Sequence, residues 1–249
     1  MAFDYSPSHK DISDAAVAAL ADPKIAYPGL LYGPDAGHPP LRSAVAKWLT
    51  DFYQPSEPIP TDRITITGGA SQNLACLLQV FTDPLYTKNV FIVAPAYMLA
   101  FRTFVDNGFG EKMRAVPEDE DAIDLDSLRR QLEKSESSMK QEGNTEARTK
   151  PPRPWAKHYR HVIYCVPTFA NPSSRTMSLD RRRSLVQLAR EFDALIIADD
   201  VYDQLQWPVD PPAAGAASLS KAYLPRLSDI DRTIDGGAER KAQMALAMP

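Results

Sequence analysis

Cysteine is scarce. Two residues, Cys76 and Cys165, in a chain of 249 exclude a disulfide framework and a Cys-rich zinc site. Both fall inside apolar runs, where a buried free thiol is the simplest expectation. Such usage fits a reducing, cytoplasmic setting. No stretch reaches the roughly 20 apolar residues that a bilayer span needs. The start, Met1-Ala2-Phe3-Asp4-Tyr5-Ser6-Pro7, lacks the basic-then-apolar order of a signal peptide. Positive charge is not in excess either: 28 Lys and Arg against 32 Asp and Glu leave −4. No basic field therefore points to nucleic acid or an anionic membrane. Glycine is low at 11 and proline high at 22, which suits stiff, proline-punctuated connections.

What remains is ordinary globular composition, 44% apolar and 24% charged. The length fits one large α/β domain or two small ones. Helical and strand-like segments alternate. Leu41, Ala44, Val45, Trp48, Leu49 and Phe52 share one helical face. Leu74, Leu77, Leu78 and Phe81 repeat the pattern, as do Leu185, Leu188, Ala189 and Phe192, and a shorter helix is expected at Leu125, Leu128 and Leu132. Between them lie short β-branched or apolar runs at Arg63–Thr67, Asn89–Val93, His161–Val166 and Ala194–Ala198. The last three are almost continuously apolar, as strands covered on both faces are. The pattern predicts an α/β fold: a mostly parallel sheet with helices on both faces. Residues 133–160 are polar and charged and read as a surface insertion. Its basic end (Arg148, Lys150, Arg153, Lys157, Arg160) is either a contact patch or, more simply, a solvated loop. Residues 207–224 read as a second loop, and no strand is expected in the tail, 236–249.

In an open parallel sheet, ligands bind beyond the carboxyl ends of the strands. Those ends carry Gly68-Gly69-Ala70-Ser71-Gln72, Pro95-Ala96-Tyr97, Pro167-Thr168-Phe169-Ala170-Asn171-Pro172 and Asp199-Asp200-Val201-Tyr202. A helix starting at Ser71 after a small-residue turn would aim free N–H groups at an anion such as a phosphate. Equally, Ser71 would be a plain helix cap. The run is neither GxGxxG nor a Walker loop. Asp199, at the mouth of a buried strand, is either a salt-bridged cap or the counter-ion of a protonated heterocycle. Tyr202 lies three residues on. Asn171 is a turn-former or an amide donor to a ligand oxygen. Tyr97 is core packing or a stacking platform for a flat ring. A metal site at His158 and His161 is a weaker alternative, lacking a carboxylate or Cys cluster.

These motifs, with Tyr32-Gly33-Pro34-Asp35-Ala36-Gly37 and Leu41-Arg42, together resemble the class I/II aminotransferases, pyridoxal-phosphate enzymes of fold type I. The likeness is nearest to fungal aminoadipate and aromatic aminotransferases, and runs from about Leu31 to Trp207. It implies that Gly69, Ala70 and Ser71 hold the phosphate of pyridoxal 5'-phosphate and that Tyr97 stacks on its ring. Asn171 and Tyr202 would bond the ring's phenolic oxygen, and Asp199 would pair with the ring nitrogen. Tyr32 would reach the cofactor of a neighbouring subunit in a homodimer. The implied activity is amino transfer between an amino acid and a 2-oxo acid.

The resemblance also implies a Schiff-base lysine beyond Asp-x-x-Tyr. Ser218-Leu219-Ser220-Lys221 imitates its context but lies nineteen residues past Tyr202 with no intervening strand, and Lys241 fits the count without a motif. No catalytic lysine is therefore assigned. The family's usual Thr-Gly after Asn-Pro is Ser173-Ser174 here. The expected organisation is a large domain over 31–235 with the insertion 133–160, an N-terminal segment 1–30 and an atypical tail 236–249. It would be truncated at both ends, without the small C-terminal domain. The competing expectations are a non-catalytic remnant acting as a binding or dimerisation protein, and a C–S lyase of the same fold.

Overall fold

The computed structural model describes residues 8–142, 146–205, 221–234 and 246–248. The chain divides into two units, Met1–Ala46 with Pro60–Ile66, and Lys47–Ile59 with Thr67–Pro249.

The first unit holds α1 (His9–Ala21), α2 (Pro23–Gly29) and the start of α3 (Pro39–Tyr53). Ser8 caps α1 by accepting the Asp11 N–H at 3.2 Å, and Asp22 caps α2 by accepting the Lys24 N–H at 2.9 Å. Pro23 takes the first position of α2, where a missing N–H is harmless. Gly37, which closes the Tyr32–Gly37 motif, sits at φ +102°, and a Cβ there would lie 2.7 Å from the Ile66 side chain. Glycine is required on both counts. The expected strand Arg63–Thr67 is not formed: Thr61–Arg63 is a 3-10 turn and residues 64–67 join no ladder. Arg42 explains why. Its guanidinium donates to the carbonyls of Ile64 (2.6 Å) and Thr61 (2.9 Å), while the Ile66 N–H goes to Ala36 O at 2.9 Å. Backbone groups that a sheet would have used are satisfied locally.

The second unit is built on a sheet of β1 (Asn89–Ala94), β2 (Met113–Asp119), β3 (Ala122–Ile123), β4 (His161–Cys165), β5 (Ala194–Asp199) and β6 (Leu246–Met248). The spatial order is β3-β2-β1-β4-β5-β6, and every pairing is parallel except β2 with β3. The three strands expected from apolar runs, β1, β4 and β5, are central and buried almost throughout. β2 escaped the sequence pattern because it carries Pro117 and charged residues, with only Val116 fully buried. β6 corrects the expectation of a strandless tail. Its three residues pair with β5, too few to register as a periodic run.

Side-chain alternation divides the core into two. Val162, Tyr164, Leu195 and Ile197 face α4 (Ala70–Phe81) and α5 (Met98–Phe104). Ile163, Cys165, Ile196 and Ala198 face α6 (Leu125–Glu142), α7 (Leu179–Glu191) and α8 (Leu227–Thr233). Helices thus cover both faces of a mostly parallel sheet, as expected.

The polar stretch after Leu132 is no loop at its start. α6 continues to Glu142, because Leu128, Leu132 and Met139 fall on one buried face, with Ser135 beside them accepting from Asn89 at 2.6 Å. Nor is the basic end merely solvated. Asp83, buried after α4, accepts from Thr149 N and Oγ1 (2.8 Å each) and Lys150 N (2.6 Å). Lys150 Nζ caps α4 by donating to Gln79 O and Thr82 O. The guanidinium of Arg148 lies 4.0 Å, and that of Arg160 5.0 Å, from the centre of the Tyr86 ring. Two further expectations are corrected or refined. Cys165 is buried but Cys76 is exposed, since it falls on the outer side of α4. His161 is buried against Glu136 at 3.1 Å and His158 is buried with neither nitrogen bonded. Among the described residues no three metal-ligating side chains converge. No helix among them is long and apolar enough to cross a membrane.

Candidate functional site

Parallel strands put all their carboxyl ends on one edge. β1, β4 and β5 are neighbours, so Pro95-Ala96-Tyr97, the Pro167–Pro172 loop and Asp199–Tyr202 emerge side by side. The opposite edge takes the end of α4: Tyr159 N–H, two residues before β4, donates to Phe81 O at 2.9 Å. The start of α4 therefore lies at the edge where the loops emerge. It begins at Ala70, not Ser71. Gly69 holds the cap position at φ +109° and supplies no side-chain hydrogen bond. Ser71 is then inside the first turn and is not the cap, so the first N–H groups of α4 keep their donors for another acceptor.

Asp199 ends β5 on the α4 and α5 side of the sheet, two residues beyond Ile197. It is 9% exposed. Tyr164, on the same face of β4, donates to Asp199 Oδ2 at 2.9 Å. Asp199 Oδ1 is buried and has no partner. Burial pushes this carboxyl above the usual range, and the Tyr164 hydroxyl and the Val201 N–H pull it part of the way back. Burial and the neighbouring Asp199 push the Tyr164 phenol well above its ordinary range, so it remains a donor. Asn171 Nδ2 lies 3.4 Å from the Tyr202 hydroxyl, a long contact that brings the two side chains to one spot. Tyr97 precedes α5 and leaves 37% of its surface exposed, so it is no core residue.

The loop carrying Asn171 is tightly wired. Ala170 N–H donates to Arg175 O at 2.8 Å, and Phe169 N–H to Thr176 Oγ1 at 3.0 Å. Phe169 and Ser174 hold φ of 51° and 60°. Ser173 donates to Glu118 Oε1 at 2.8 Å, from the end of β2. Arg182, fully buried, donates to Pro167 O, Thr168 Oγ1, Met177 O and Pro225 O. Sequence reasoning passed over Glu118 and Arg182. Glu118 sits on an unforeseen strand. Arg182 did leave a signal: it falls three residues before Leu185, on the apolar face of α7.

Tyr32 belongs to the first unit and is fully exposed. Lys221 is exposed. Lys241, like Ser218 and Ser220, lies outside the described residues.

A sheet edge that offers an uncapped helix start, an aromatic face, an amide beside a phenol and a buried half-bonded carboxylate has the chemistry to accept a flat, phosphorylated, basic heterocycle. Residues 3–225 match the aminotransferase class I and II family, and the chain belongs to it. Pyridoxal 5'-phosphate is the cofactor of that family. An uncharacterized protein of Saccharomyces cerevisiae is 37% identical over 213 residues, which is 82% of this chain and 48% of that one. Aromatic-amino-acid aminotransferase 1 of Thermococcus litoralis is 29% identical over 212 residues, 83% of this chain and 45% of its own length. Kynurenine aminotransferase of Pyrococcus horikoshii, solved with PMP, is similar in structure with a TM-score of 0.58 at 30% identity. That match covers 82% of this chain and 44% of the solved one. The chain spans about half the length of the curated relatives it matches.

Proposed function

We propose that residues 31–235 form the cofactor-binding large domain of an aminotransferase acting between an amino acid and a 2-oxo acid. The observation that carries this reading is Asp199, a buried carboxylate with one oxygen bonded and the other unpartnered. An unpaired buried carboxylate oxygen is costly, and a protonated ring nitrogen is the partner that would offset the cost. The other groups fit the same ligand. The N–H groups at Gly69, Ala70 and Ser71 would hold a phosphate. Tyr97 would cover a ring face, and Asn171 and Tyr202 would bond a ring oxygen. Pyridoxal phosphate, when bound, supplies the electron sink and carries the amino group. Asp199 keeps the proton on the ring nitrogen, and the wired Asn171 loop fixes the ring's orientation. Relatives named for aromatic substrates and kynurenine support an aromatic amino acid as substrate. A cytoplasmic homodimer in which the exposed Tyr32 reaches a neighbouring subunit's phosphate belongs to the same reading. Turnover needs a lysine, for which Lys221 and Lys241 are the candidates, and loss of that function would leave a cofactor cradle of impaired activity.

The test is titration of the purified protein with pyridoxal phosphate, followed by visible absorbance, then borohydride reduction and peptide mapping. Saturable binding that Asp199→Ala abolishes is the expected result. A reduced adduct mapped to Lys221 or Lys241 identifies the lysine, whereas saturable binding without an adduct leaves the cradle alone. Folded protein that does not bind overturns the reading.

A further inference from the structure

We propose that Tyr164 is a positioning residue whose hydroxyl clamps one oxygen of Asp199 so that the other stays ionised and aimed at the cofactor ring. It rests on the cofactor reading above. Tyr164 lies in the middle of a rigid chain of contacts. Its ring meets Phe104 of α5 edge-on at 5.6 Å and 73°, and Phe104 is itself fully buried. Tyr164 is 2% exposed. β4 and β5 are in parallel register, Tyr164 opposite Ile197, so the phenol reaches diagonally to the next residue on that face, Asp199.

The bond runs one way. A phenol this buried beside a carboxylate stays protonated, so its hydroxyl donates and Asp199 Oδ2 accepts. A donor to the charged form favours that form. Without it, Asp199 would face an apolar interior with one backbone N–H, from Val201, to offset burial. Burial would then push the carboxyl further toward its protonated form, which could not hold a proton on a ring nitrogen. The clamp also stops the carboxylate from turning about its own bond, which leaves Oδ1 with a fixed direction. Few other groups compete at this point. Tyr202 and Asp203 are the other titratable side chains on the β5 turn, Asp203 accepting from Tyr53; Asp200 points to the opposite face, α4 carries no charged residue, and Arg102 of α5 is exposed.

The experiment compares the wild type with Tyr164→Phe, which keeps the ring and removes the hydroxyl. In the cofactor-free proteins, the Asp199 carboxyl is titrated by carbon NMR, assigned with Asp199→Asn. The expected midpoint in Tyr164→Phe is about one pH unit higher, the shift that one lost hydrogen bond produces. Binding of pyridoxal phosphate is then measured from pH 5 to pH 9. Relative to the wild type, affinity should be about tenfold lower below both midpoints, about twofold lower at the new midpoint, and recover toward the wild-type value as pH rises further. An unchanged Asp199 midpoint overturns the proposal. So does an affinity loss that is equal at every pH, which is what a merely structural role predicts. A wild type that binds no cofactor refutes the cofactor reading, while the NMR titration still decides whether Tyr164 holds Asp199 ionised. Should Tyr164→Phe not fold, the same titration on Phe104→Leu, which loosens the ring and keeps the hydroxyl, should give a smaller upward shift.

Discussion

Asp200 follows Asp199 on the chain, yet its chemistry is opposite. It turns to the α7 and α8 side, 4% exposed, and neither carboxylate oxygen has a hydrogen-bond partner. Asp203 stands nearby, 1% exposed, with Oδ2 accepting from Tyr53 at 2.7 Å. Arg182 and Arg226 oppose the charge, but Arg182 is committed to carbonyls and Arg226 to Asp229 at 2.9 and 3.0 Å. Burial first, then Asp203, push the Asp200 carboxyl from 3.8 up to about 8. An acid with a raised folded pKa stabilises the fold fully below the unfolded value and loses that contribution as pH rises toward the folded one. Each pH unit between is worth about 1.4 kcal/mol. By pH 7 the loss reaches roughly 4 kcal/mol, and interior relaxation brings it to on the order of 2–4 kcal/mol. Asp200→Asn removes the titration while keeping the shape. Urea unfolding at pH 5, 7 and 8.5 should therefore show the variant more stable than wild type, by about 1 kcal/mol at pH 5 and 2–4 kcal/mol at pH 7 and above. A variant less stable at every pH, or a gap that does not widen with pH, would refute the reasoning, because either result means Asp200 is ionised and paired.

Other substitutions test the wiring of the fold. Asp83→Ala removes the acceptor of five hydrogen bonds, from Leu85, Tyr86, Thr149 (two) and Lys150. It should cost about 2–3 kcal/mol and speed amide exchange at Thr149 and Lys150, with those two amides as the readout. Those hydrogen bonds hold the Asp83 carboxyl below its ordinary range, so their contribution is present above about pH 4 and fades as pH falls. Ser174→Gly relieves a residue held at φ 60° and should raise stability by about 1 kcal/mol, seen as a higher thermal midpoint. Arg182→Met empties a fully buried guanidinium from the loop and from beside Asp200. A destabilisation of about 3–5 kcal/mol in urea is expected, with weaker cofactor binding at temperatures where the variant is folded.

The sequence by itself determined the central sheet. β1, β4 and β5 are apolar along their length because both faces are covered, and that is a property of composition rather than of partners. It also marked the strand ends where Tyr97, Asn171, Asp199 and Tyr202 stand, since a chemical group after a buried run is visible without coordinates. Tertiary structure decided the rest, for reasons of pairing and burial that one-dimensional patterns do not carry. β2 is a strand because β1 supplies its ladder, not because Met-Arg-Ala-Val-Pro-Glu-Asp favours one. Residues 64–67 are not a strand because Arg42 and Ala36 reach their backbone first. Asp199 and Asp200 read alike in sequence. Only the pleat, which turns one toward Tyr164 and the other toward Asp203, separates a carboxyl with one oxygen held by a phenol from one that burial and a second carboxyl push far above its ordinary range.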